Sequence, residues 1–231
     1  CARCGGTGWY KERVVFNHPH FGALFPCECR QQQRAVQVRA ELLRLSNLAA
    51  FRTKTFASFD QFVPGLSKAY LRAVTYAREP RGWLALFGAY GTGKTHLAAA
   101  IALEALQRDE QVLFVVVPDL LDHLRATYGP DSSVAYDMRF EMVRNVPLLI
   151  LDDLGTENTT PWAREKLYQL INHRYNEQLA TVFTSNLAPE AIDPRIYSRL
   201  CDPQLTQEIV RISAGDYRKR AMQRSQTATK H

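Results

Sequence analysis

The chain holds 231 residues, 46% of them hydrophobic, which is enough for one or two cored domains. No apolar run approaches the 18 residues of a membrane span, no leader with a cleavage site is legible, and five cysteines do not make a disulfide scaffold, so a cytoplasmic protein with no membrane partner is expected. The net charge of +6 is uneven: residues 1–55 hold nine Lys/Arg against three acids, 56–210 hold 14 against 19, and 211–231 hold six against one. Basic ends around an acidic body suit a polyanion such as nucleic acid, or are simply two solvated segments.

The first residue is Cys1 rather than Met, which reads as a fragment whose upstream part is missing. Residues 1–30 form the first zone, rich in Gly, Pro, His and Cys, with a strand expected in WYKERVVF. Its cysteines read C-x₂-C-x₂₂-C-x-C: Cys1, Cys4, Cys27 and Cys29. Four thiolates make a closed tetrahedral Zn²⁺ site with no position for chemistry, so the metal would be structural. Free thiols and disulfides are the alternatives, and His18 and His20 the rival ligands. A 30-residue segment has little core, and metal binding supplies folding free energy on the order of 10 kcal/mol.

Residues 31–55 are expected as a basic linker helix, with Val38, Leu42, Leu45 and Leu48 on one face. Strands and helices alternate over 56–231. WLALF (83–87) is a strand that stops at a Gly-rich turn, and HLAAAIALEAL (96–106) is a helix. QVLFVVV (111–117) is a strand ended by Pro118, then a helix begins at PDLL, and a second helix is expected over 134–145. PLLILDD (147–153) and TVFTS (181–185) are strands around a helix at 163–178, and EIVRIS (208–213) closes the series. Continuous apolar strands between helices imply an α/β fold, a parallel sheet covered on both faces.

The strongest motif is GAYGTGKT, Gly88, Ala89, Tyr90, Gly91, Thr92, Gly93, Lys94 and Thr95, followed by His96 at the start of a helix. It fits G-x-x-x-x-G-K-[ST] in the strand–loop–helix setting that a phosphate loop needs. Gly91 and Gly93 let the backbone curl its N–H groups toward one anion, and the helix N-terminus adds its dipole. Lys94 would reach the β- and γ-phosphates of ATP, and Thr95 would offer its hydroxyl to Mg²⁺. Asp152 ends the next acidic strand where Mg²⁺ would sit, and Asp153 could orient or deprotonate the attacking water. Asn186 in TSN is the choice for a polar contact to the γ-phosphate or the water, against a simple turn cap.

In combination GAYGTGKT, LILDDLG, TSN and SRL resemble the AAA+ ATPases of the initiator and helicase-loader branch. Within it, TFASFDQF and GDYRKR resemble the DnaC/DnaI-type replicative helicase loaders, with the IstB-type transposition helpers close behind. The resemblance spans roughly residues 50–220. It implies a three-layer P-loop domain preceded by a zinc module for docking a partner; the roughly 30 residues after SRL are too few for the full helical lid most AAA+ proteins carry, so a reduced or absent lid is expected. It implies Arg199 as an arginine finger acting in trans, with Arg195 as competitor, and Arg218 as a nucleotide sensor. Phe56 and Phe59 would wall the adenine site or merely close the core. Arg125 and Arg139, in the two helices of 118–146, would touch single-stranded DNA or be solvated.

The function expected is an ATP-hydrolysing loader that binds a replicative hexameric DNA helicase, self-associates through its ATP site and places the helicase on single-stranded DNA. An IstB-type regulator of a transposase and a zinc adaptor that hydrolyses nothing are the alternatives. A small-molecule P-loop kinase is disfavoured, because no acceptor lid is recognisable.

Overall fold

The computed structural model describes residues 1–126, 133–156 and 160–217, with the side chains of Gln31, Ala35 and 133–135 outside that description. The chain divides into two compact units, Cys1–Arg44 and Leu45–His231.

In the first unit, β1 (Trp9–Tyr10) pairs antiparallel with β2 (Phe25–Pro26), and α1 (Glu28–Leu45) follows. The strand expected across WYKERVVF is therefore cut to its first two residues. Its remainder belongs to a loop in which Val15 and Phe16 are exposed, with no second strand face to bury them. Two cations cover the aromatic residues of this small ladder: Arg3 sits 3.8 Å from the Tyr10 ring centre and Arg30 sits 4.2 Å from that of Trp9.

The second unit carries a five-stranded sheet in the order β4 (Val112–Val116), β5 (Leu148–Asp152), β6 (Ala180–Ser185), β3 (Trp83–Gly88), β7 (Thr206–Ile212), and every neighbouring pair is parallel. Burial explains the continuous apolar runs: β5 and β6 are buried at every position. The crossovers are α3 (Lys94–Gln107), α4 (Val117–Ala126) with α5 (Ser133–Asn145), α6 (Pro161–Asn176) and α7 (Pro194–Leu200). Local chemistry starts α6 and α7. Thr160 caps Ala163 N–H ahead of Pro161, and Asp193 caps Arg195 N–H ahead of Pro194.

The helix α2 (Ser67–Arg78) is absent from the sequence expectation. Its core face is built from Ala69, Ala73 and Ala77 with Tyr76, so small residues at four-residue spacing carry it. The linker helix begins three residues earlier than expected and gives way to a 3₁₀ turn at Asn47–Phe51. Ser46 caps that turn, and Asn47 accepts from Val116 N–H and donates to Asp119. No described helix is long and apolar enough to cross a membrane.

Candidate functional site

The sheet order decides which side chains meet. β3 delivers the phosphate loop, and β5 delivers the acidic pair, but β6 lies between them. Adjacent strands lie about 4.8 Å apart, so roughly 10 Å separates the ends of β3 and β5. A side chain on the end of β6 is the one placed to bridge that gap, and Asn186 does. Its Oδ1 accepts from Lys94 Nζ at 2.7 Å, and its Nδ2 donates to Asp153 Oδ1 at 2.9 Å.

Lys94 is buried, 4% exposed, and also donates to the Gly88 and Ala89 carbonyls, both at 2.8 Å. The loop itself is bent by glycines in the left-handed region, Gly91 at φ +73° and Gly93 at φ +90°. That backbone strains any side chain at either position, and on Gly93 a Cβ would also lie 2.8 Å from the Phe59 ring at Cε2. Thr92 closes the turn by donating to the Ala89 carbonyl at 2.9 Å.

Asp152 and Asp153 follow one another but occupy different environments. Asp152 is 2% exposed and accepts from Thr184 Oγ1 at 2.6 Å. Burial pushes its carboxyl up to about 6. The neighbouring charge of Asp153 adds to the rise, while hydrogen bonds from Thr184 and Thr95 and the charge of Lys94 oppose it. A cation beside Asp152 would favour its carboxylate form. Asp153 turns out of the strand with φ +59°, its N–H donated to Thr184 Oγ1 at 3.0 Å, and its carboxylate faces the cleft. Thr184, which holds both acids, is not among the residues the sequence reading selects; the TSN motif around it is the available signal.

The cleft has a volume of about 390 Å³, within the range of small-molecule sites. Its lining combines the Gly91–Thr95 loop, Asp153 and Asn186 with the apolar Phe51, Phe59, Val63 and Leu66 and the polar Thr53, Lys54, Ser58 and Asp60. Tyr90 and Tyr217 stand at its rim. Phosphates on the loop and a base against the apolar side chains would match ATP. Phe59 lines the cleft, whereas Phe56 packs edge-on against Tyr70, with ring centres 5.9 Å apart.

Arg199 lies away from this cleft. Its guanidinium donates to Tyr168 Oη at 2.8 Å, to Asn172 Oδ1 at 2.5 Å and to the Arg195 carbonyl at 2.8 Å. Arg195 is spent on Asp193, at 3.2 Å, and on the Tyr168 face. Arg125 is exposed and Arg139 half-buried on their helices. Arg218 lies outside the described residues.

In the first unit the four sulfurs of Cys1, Cys4, Cys27 and Cys29 lie within 4.8 Å of one another, with Cys1–Cys27 at 3.6 Å and Cys4–Cys29 at 3.4 Å. A tetrahedron of Zn–S bonds near 2.3 Å has edges of about 3.8 Å, so the donor set fits zinc. The Cys4 thiol is pulled down to about 7, first by Cys29 and then by the Gly8 amide, with the Gly6 amide contributing. His20 is occupied with Glu12 at 2.7 Å.

A parallel sheet with the phosphate-loop strand beside a polar strand end, and an acidic strand beyond it, defines a P-loop domain of the AAA+ type. The chain belongs to the family of IstB-like ATP-binding proteins, whose description matches residues 27–225. It is 34% identical over 110 residues to the replicative helicase loader DnaI of Bacillus subtilis, covering 47% of this chain and 34% of that one. To the replicative helicase loader DnaC of Escherichia coli K12 it is 25% identical over 197 residues, covering 84% of this chain and 77% of that one. A crystal structure of the DnaC helicase loader superposes with a TM-score of 0.60 at 23% identity, covering 71% of this chain and 99% of that one, a likeness of fold.

Proposed function

We propose that this protein is an ATP-hydrolysing loader that docks on a replicative hexameric DNA helicase and helps place it on single-stranded DNA. One observation carries the reading: the Lys94–Asn186–Asp153 chain, in a family whose relatives are named as loaders. Lys94 would exchange its loop carbonyls for the β- and γ-phosphates. Thr95 and Asp152 would hold Mg²⁺, which supplies charge neutralisation at the phosphates. Asp153, exposed to the cleft, would orient or deprotonate the attacking water, with Asn186 setting its position.

Arg199 would act on the nucleotide of a neighbouring copy, and this makes turnover depend on self-association. Its planar group is braced by Tyr168 and Asn172, so it would be presented in one orientation. Residues 1–30, tied by zinc through Cys1, Cys4, Cys27 and Cys29, would form the docking module, 31–55 the linker, and 56–231 the motor, working in the cytoplasm.

The deciding experiment is native mass measurement of the protein mixed with the replicative helicase of its host, with and without ATP. A complex of loader copies on the hexamer, altered by ATP, is expected. Failure to bind the helicase, with capture by a transposase instead, would transfer the protein to the transposition-helper reading.

A further inference from the structure

His96, the residue after the phosphate-loop threonine, has no assigned part in the chemistry above. It is the third residue of α3, and its ring reaches the segment ahead of α2 rather than the Gly91–Thr95 loop. Its Nε2 lies 2.8 Å from the Thr55 carbonyl and 3.3 Å from Ser58 Oγ, and its ring meets Phe59 edge-on at 5.1 Å. A carbonyl can only accept, so Nε2 carries the proton and the tautomer is fixed.

The segment it grips is internally tied. Ser58 Oγ donates to the Thr53 carbonyl at 2.8 Å and accepts from Thr55 N–H at 3.1 Å. Phe59 is sandwiched: it stacks on Tyr70 at 5.7 Å, and its edge lies against Gly93, where a Cβ would come within 2.8 Å. Thr53, Lys54, Ser58 and Phe59 all line the cleft. Burial lowers the ring's proton affinity, and Lys54 adds to the effect against the Thr55 hydrogen bond.

We propose that His96 is a positioning residue for the nucleoside end of the ligand: it locks the 53–59 segment, and with it the Phe59 face, to the helix that holds the phosphates. This rests on the ATP reading of the cleft. The ring's hydrogen bonds go to Thr55 and Ser58 and none goes to the Gly91–Thr95 loop, so its removal should separate base recognition from phosphate recognition.

The test is calorimetric titration of the full chain with Mg-ATP and, separately, with Mg-tripolyphosphate. His96→Ala should weaken ATP binding about tenfold, the scale of one lost hydrogen bond, and leave tripolyphosphate within about twofold. The second pair of variants guards against misfolding. His96→Gln places an amide N–H near Nε2 and should retain most of the ATP affinity; His96→Asn is too short to reach Thr55 and should lose it. Equal losses for both ligands, or no difference between Gln and Asn, would overturn the proposal. Absence of ATP binding by the unaltered chain, with tripolyphosphate still bound, would instead sink the ATP reading itself.

Discussion

Arg174 is wholly buried, and every acceptor it reaches is neutral. Nη1 donates to the carbonyls of Arg144 at 2.9 Å and Val146 at 2.8 Å, Nη2 to that of Ala180 at 2.6 Å, and Nε to Thr181 Oγ1 at 2.9 Å. The first two are at the end of α5 and the chain entering β5; the others begin β6. One guanidinium therefore caps a helix whose last carbonyls have no intrahelical partner and fastens two central strands at the end opposite the phosphate loop. Burial drags its proton affinity down to about 9, so it remains charged near neutrality. Replacement by Met keeps the length and leaves four acceptors unpaired. At about 1.5 kcal/mol each that is roughly 6 kcal/mol, of which several are recovered because no charge is buried, leaving a net loss of about 3 kcal/mol. Urea unfolding of Arg174→Met should show this as a lower midpoint with unchanged slope, and the thermal midpoint should fall roughly 6–12 °C. Arg174→Lys should lie between, since one ammonium cannot span both strand starts. A Met variant within about 1 kcal/mol of the parent would refute this account of the sheet.

Lys94→Ala should abolish ATP binding in the titration, whereas Arg199→Ala should keep binding and lose stimulated hydrolysis in the assembly; retained stimulation would remove Arg199 as the finger. Tyr76 is buried, and its hydroxyl donates to the Gly82 carbonyl at 2.8 Å. Burial raises its folded-state pKa, so the unfolded chain loses this proton first, and stability should fall as pH rises through about 10, by up to about 1.4 kcal/mol per pH unit. Tyr76→Phe should be less stable at pH 8 but flatter above pH 10 in urea midpoints. Elemental analysis should find one zinc per chain, and its chelation should unfold residues 1–30 while the second unit keeps its thermal midpoint; stoichiometric zinc absent from metal-replete protein would exclude the site.

The strands of the second unit are legible because burial on both faces leaves unbroken apolar runs, as in WLALF, VLFVV and LLIL. The helix at Ser67–Arg78 is not, because Ala69, Ala73 and Ala77 make a narrow face that hydrophobicity scarcely marks. WYKERVVF reads as extended for the converse reason: β-branched and aromatic residues are present, but the partner strand is Phe25–Pro26 alone and pairs only with Trp9 and Tyr10. The phosphate loop, the acidic pair and TSN could be read from motif and spacing. That Asn186 touches both Lys94 and Asp153 depends on strand order, which no local pattern encodes. Arg174 sits in HRYN, indistinguishable from the solvated arginines of any amphipathic helix.

The Lys94–Asn186–Asp153 chain has a bearing on how the site should be dissected. Asn186 offers one oxygen to a cation and one nitrogen to an anion, so substituting any member alters what the other two can hold. Losses measured one residue at a time would count the same broken contacts repeatedly, and their sum would exceed the loss of the triple variant. A full thermodynamic cube of the three substitutions, with a coupling term of comparable size to the single effects, is the unit in which this site has to be measured.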